Sequence, residues 1–164
     1  MPLNSLTTCL WFDGNAEEAA HHYVSIFSNS KITGIKKYPE AGSEIHRGKP
    51  GTVMTIAFEL NGHRFVGLNG GAAFKFNPAI SFHVECEDQA EIDYYWDKLG
   101  EGGDEKAKQC GWLEDKFGVS WQIVPKVLIE ILTDEDQEKA DKGMLAMLGM
   151  KKIEIDGLLK AVED

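Results

Sequence analysis

Hydrophobic and polar residues alternate with a period of two over residues 52–60. Met54, Ile56, Phe58 and Leu60 face one way, and Val53, Thr55, Ala57 and Glu59 face the other. Asn61-Gly62 follows, the strongest short hairpin signal in the chain, because both residues tolerate a left-handed backbone. The return strand is expected at 63–69. Upstream, residues 6–12 are short, apolar and β-compatible, and Asp13-Gly14-Asn15 breaks them, with Asn15 placed to cap a helix. From Ala16 the period lengthens to that of a helix, with Ala16, Ala19, Ala20, Tyr23, Val24 and Phe27 on one face. Ser28-Asn29-Ser30 ends it. A strand is expected at 31–38 and a polar loop at 39–51.

The pattern then begins again. Residues 79–86 read as a strand, and Asp88 can cap a helix to about Leu99 that carries Ile92, Tyr95, Trp96 and Leu99 on one face. Gly100-Glu101-Gly102-Gly103 stops it. Residues 106–113 and 119–124 read as strands around a turn at 114–118. The two halves are read as copies of one order, strand–helix–strand–strand–strand, with three of the strands placed in the second half. A shift of 72 positions superposes Leu10 on Phe82, Phe12 on Val84, Ala20 on Ile92, Tyr23 on Tyr95, Val24 on Trp96 and Phe27 on Leu99. Residues 126–164 are helical in pattern, with caps around Thr133-Asp134 and Ile155-Asp156. Met144, Leu145, Met147, Leu148 and Met150 form an apolar face that needs a partner, either the body of the domain or a second subunit.

Composition narrows the function classes. A chain of 164 residues suits one domain with a proper core. A formal net charge of −10 disfavours sequence-independent nucleic-acid binding and docking on anionic membranes. No run of about 18 apolar residues occurs, and the first fifteen residues lack the pattern of a secretory signal. Cys9, Cys86 and Cys110 are odd in number and lack CxxC spacing, so they read as free thiols of a cytoplasmic protein. The glycines at 67–71 do not make a dinucleotide fingerprint, so S-adenosylmethionine binding of that kind has no support. No G-x-S-x-G elbow is present.

Five stretches carry a resemblance: CLWFDGNAEEAA at 9–20, FELNGHRFVGLNGG at 58–71, AISFHVECEDQAEIDYYWDKL at 79–99, CGWLEDKFGVSWQIVP at 110–125 and AMLGMKKIEIDGL at 146–158. The chain resembles the PhnB-like branch of the vicinal oxygen chelate superfamily, historically labelled 3-demethylubiquinone-9 3-methyltransferase. That resemblance implies an α+β fold of two βαβββ modules forming a curved, partly barrel-like sheet. The modules would span about 5–75 and 78–125 of a single domain, with a helical extension at 126–164. It also implies a concave pocket that commonly holds a divalent metal, bound by His or Glu from the first and last strands of each module. The metal would act as a Lewis acid on neighbouring substrate oxygens.

Strand parity decides which residues could serve. In the first strand Leu10 and Phe12 face the helix, leaving Thr7, Cys9 and Trp11 for the pocket. The aligned ligand positions are Thr7 or Cys9, Gly67 or Asn69, Ser81, and Gln122. None of these is a good ligand for a hard divalent ion, and an amide brings no charge where a glutamate would. No metal or cofactor is therefore expected. Cys9, Trp11, Asn69, Ser81, His83 and Gln122 are the expected ligand-binding residues of a small-molecule-binding protein, expected as a homodimer. The alternative is an enzyme for a small oxygenated substrate, with His83 and Glu85 as a rearranged metal pair or as a metal-free general base.

Overall fold

The computed structural model describes residues 6–163. The chain divides between Lys75 and Phe76 into two units. The first contains β1 (Thr8–Phe12), α1 (Ala16–Ile26), β2 (Lys31–Lys37), the short helix α2 (Ser43–His46), β3 (Val53–Leu60) and β4 (His63–Asn69). Its sheet has the order β1-β4-β3-β2, with β1 parallel to β4 and the other pairs antiparallel. The β3–β4 hairpin turns at Asn61-Gly62 with both φ angles positive, 46° and 83°, which matches the twist of the paired strands. Ile56, Phe58, Leu60 and Phe65 are buried, as are Leu10 and Phe12 of β1.

Helix α1 lies on that buried face through Ala16, Ala19, Ala20, Tyr23 and Ile26. Small residues let it come close. A Cβ at Gly67 would stand 3.1 Å from the Ala16 methyl and 3.2 Å from Ile56. Asn15 occupies the N-cap position but makes no side-chain cap bond. The Ala16 N–H instead donates to the Asn69 side-chain oxygen at 2.9 Å, so the helix start is fixed by a residue from β4.

The second unit contains β5 (Phe82–Cys86), α3 (Gln89–Gly100), a 3-10 turn at Glu105–Ala107, β6 (Trp112–Glu114), β7 (Ser120–Pro125), α4 (Lys126–Leu132), α5 (Gln137–Leu148) and α6 (Ile155–Glu163). Its sheet has the order β5-β7-β6, with β5 parallel to β7. The parallel pairing of first and last strands is thus common to both units. Asp88 caps α3, accepting from the Glu91 N–H at 3.0 Å. Ile92, Trp96 and Leu99 are buried.

Two sequence expectations change here. The repeat is incomplete, because the second unit has one strand fewer than the first. Residues 106–113 reach strand only at Trp112, and the 3-10 turn takes the place of a strand. The Asp104 carboxylate accepts from the Lys106 N–H at 2.9 Å and closes that turn locally. The methionine-rich face also divides. Met147 and Met150 pack on a cluster of Val124, Leu128, Ile131, Ile153 and Leu158, whereas Met144, Leu145 and Leu148 are exposed. No helix among the described residues is long and apolar enough to cross a membrane.

The C-terminal helices are also fastened to α3 by polar contacts. The Ile155 N–H donates to the Gln89 side-chain oxygen at 2.9 Å, and the Gln89 amide donates to the Ile153 carbonyl at 3.2 Å. Lys152 pairs with Asp93. The hydrogen bond from Lys152, then that from Gln89, hold the Asp93 carboxyl below the ordinary carboxylate range. A lowered folded pKa adds stability above the unfolded value, near 4, and loses it as pH falls through the folded value. Acid titration of stability should therefore show a steeper decline below about pH 4 in the wild type than in Asp93→Asn. Identical slopes would contradict this role.

Candidate ligand-binding face

In the second unit the β5-β7-β6 register sets His83, Gln122 and Trp112 in one row across the sheet. Side chains alternate along each strand. Leu113, Trp121 and Ile123 are buried on the α3 side. Ser81, His83, Glu85, Trp112, Glu114, Ser120 and Gln122 belong to the opposite face. The Gln122 amide donates to the Ser81 hydroxyl at 2.8 Å. Both aligned ligand positions of this unit are therefore neutral and bonded to each other.

His83 and Glu85 are both exposed on this face. The Glu85 carboxylate lies 3.8 Å from the Lys126 ammonium, which also pairs with Glu87. A carboxylate already answered by a lysine is a poor partner for a histidine in a rearranged metal site. Cys86, on the other parity, is inert: burial, then Glu91, Asp88 and Glu85, push its thiol up to about 12.

Trp112, Glu114 and Ser120 add a feature that the aligned positions do not include. With Pro78, Gln109 and Cys110 they line a pocket of about 380 Å³ beside β6. Parity could have found them, since Trp112 pairs with Gln122 and Glu114 with Ser120. Burial, then Asp104 and Asp115, raise the Glu114 carboxyl above its usual range.

The first unit treats its expected residues differently. Cys9 and Trp11 lie on the face away from α1, with Cys9 exposed and Trp11 partly buried. Trp11 is held by its own unit: its indole N–H donates to the Gly71 carbonyl at 2.7 Å, and Phe74 meets the ring edge-on at 4.9 Å. Gly70 lies against the same ring, where a Cβ would come within 2.2 Å. The ring offered to a ligand by parity is thus covered by the 70–74 segment. Asn69 is placed otherwise than expected. It has the parity of Phe12, its register partner, and so lies on the helix side with Gly67. Its oxygen caps α1, and its amide donates to the Val53 carbonyl at 3.0 Å. The physical reason is that a parallel partner shares the face of its neighbour, which carries Leu10 and Phe12 into the core. Asn69 also borders an open cleft of about 850 Å³ with Asp13, Glu17, His46, Arg47 and Lys49 on its rim.

The donors do not suit the metal that the fold would imply. In the second unit they are a hydroxyl and an amide that satisfy each other. In the first, Cys9 and Asn69 point to opposite faces of the sheet. Among the described residues, no three or more His, Cys, Asp or Glu side chains are grouped to hold an ion.

Both α/β units follow one plan, with parallel first and last strands in a small open sheet and no closed barrel. The chain belongs to the 3-demethylubiquinone-9 3-methyltransferase family, the PhnB-like family, whose profile matches residues 4–124. It is similar to a PhnB protein from Bacillus cereus, with 40% identity over 74% of this chain and 99% of that one, at a TM-score of 0.62. A Staphylococcus aureus protein is 31% identical over 74% of this chain and 96% of its own, at a TM-score of 0.32. The protein PA1353 from Pseudomonas aeruginosa shares the fold at 16% identity and a TM-score of 0.57, over 75% of this chain and 98% of that one. No curated protein matches the chain.

Proposed function

We propose that the protein binds a small molecule on the solvent-facing surface of its second sheet, and does so without the usual metal. The observation that carries this reading is the Ser81–Gln122 hydrogen bond. A divalent oxygen-ligand site needs anionic donors to offset desolvation of the ion, and this pair offers none. An amide both donates and accepts, so Gln122 can exchange its bond to Ser81 for one to a ligand. His83 and Trp112 flank it in register and supply a polar ring and a flat apolar surface.

The test is substitution of the one atom group in question. Gln122→Glu places a carboxylate beside Ser81 and His83 and is expected to raise affinity for Ni²⁺ or Zn²⁺ about tenfold or more, read by calorimetric titration. A variant that folds and gains no metal affinity would refute the assignment of Gln122 to the ligand position.

A further inference from the structure

We infer that the pocket beside β6 takes small organic cations that carry a planar apolar body. This rests on the reading that the second sheet binds a small molecule, and it adds the charge class and the place. The pocket, at about 380 Å³, is large enough for a small ring compound. Pro78, Ala107, Cys110 and Trp112 make much of its lining apolar.

Three polar side chains interrupt that lining, and they are not equivalent. The Gln109 amide is committed, donating to the Leu148 carbonyl at 2.9 Å and to the Met150 carbonyl at 3.2 Å. Ser120 is buried beside Glu114, its register partner. The Glu114 carboxyl is the charged group of the three, and it has no hydrogen-bond or ion-pair partner among the described residues. A carboxylate half-removed from water in apolar surroundings is costly until a cation or donor meets it. Asp104 and Asp115 deepen the negative potential there. An anionic ligand would be repelled and a neutral one would gain nothing from that potential. An ammonium group satisfies it, and Trp112 supplies the aromatic surface that cations and flat rings both favour.

The wall of the pocket is set in advance. The Cys110 N–H donates to the Met150 carbonyl at 2.9 Å, and the Gly111 N–H to the Lys151 carbonyl at 2.8 Å. Those carbonyls belong to the C-terminal helical region, beyond the residues 4–124 that the family profile matches. The wall is therefore braced by a segment outside the family's matched core. A fixed wall lowers the ordering cost of binding.

Benzylamine is the probe, with benzyl alcohol as its neutral counterpart of like shape and benzoate as the anion. Each is titrated into the full chain by ¹H–¹⁵N NMR, following the Trp112 indole and the Gln122 side-chain amide. Benzylamine should bind about tenfold more tightly than benzyl alcohol, and benzoate should not compete. Glu114→Gln should abolish the amine's advantage and Glu114→Asp should retain part of it, with thermal melts reporting that both fold. Equal binding of amine and alcohol overturns the cation inference but leaves the small-molecule reading standing if Gln122 shifts. An advantage that survives Glu114→Gln, or no shift with any probe, also overturns it.

Discussion

Asp115→Ala is expected to lose about 3 to 4 kcal/mol of stability and roughly 10 °C in Tm. Asp115 is a carboxylate only 2% exposed, and its burial is tolerable because three donors converge on it. One oxygen accepts from the Phe117 and Val119 N–H groups at 2.9 and 3.0 Å; the other accepts from the Trp121 indole at 2.8 Å. Alanine removes the acceptor and leaves two backbone donors and an indole N–H inside the β6–β7 turn. Such orphaned donors cost more than the net worth of the bonds themselves. Asp115→Asn keeps one oxygen acceptor, so it should lose less. Chemical denaturation of the three proteins checks the order; an alanine variant within about 1 kcal/mol of wild type would contradict it.

Gly103→Ala should be nearly as damaging, at about 3 kcal/mol. A Cβ there would lie 1.9 Å from the Glu114 carbonyl oxygen, 3.0 Å from its carbon and 3.2 Å from the Asp115 Cα. All three are backbone atoms, so no side chain can turn aside and the β6 strand itself must move. The neighbouring Gly102 gives an internal comparison. Its φ is +74° and its nearest neighbour is the flexible Lys116 side chain at 3.4 Å, so Gly102→Ala should cost only about 1 kcal/mol of backbone strain. Thermal melts that rank the two variants equally would show that β6 adapts more freely than this packing implies.

Much of the fold could be read from spacing alone. The Asn61-Gly62 hairpin, the Asp88 cap and the burial of Leu10, Phe12, Tyr23, Ile92, Trp96 and Leu99 follow from period and turn chemistry, and the structure has them. The length of the strand expected at 106–113 was not legible: it is reduced to Trp112–Glu114, because a local Asp104 turn holds the backbone ahead of it. Asn15 makes no side-chain cap bond, and the contact at the helix start comes instead from Asn69, distant in sequence, which accepts from the Ala16 N–H. Propensity describes a residue's own preferences and cannot register a competitor from another strand.

The candidate site divides along the same line. Ser81, His83 and Gln122 could be placed on one face because parity in β5 and β7 is strictly local, and the register adds Trp112 to their row. Asn69 was misplaced because its parity had to be carried across a parallel pairing. Ser120 shares β7 with Gln122 and was open to the same parity argument, whereas the place of Glu114 depends on hairpin register, which the turn at 114–118 leaves open until Asp115 is seen to close it.

The central claim is that Ser81 and Gln122 stand where anionic metal ligands would be needed, and that ligands are held there by hydrogen bonds. Calorimetric titration of the wild-type protein with Ni²⁺, Zn²⁺, Mn²⁺ and Fe²⁺ addresses it most directly. No stoichiometric ion at micromolar affinity is expected. One ion bound per chain at that affinity, and lost in His83→Ala, would contradict it.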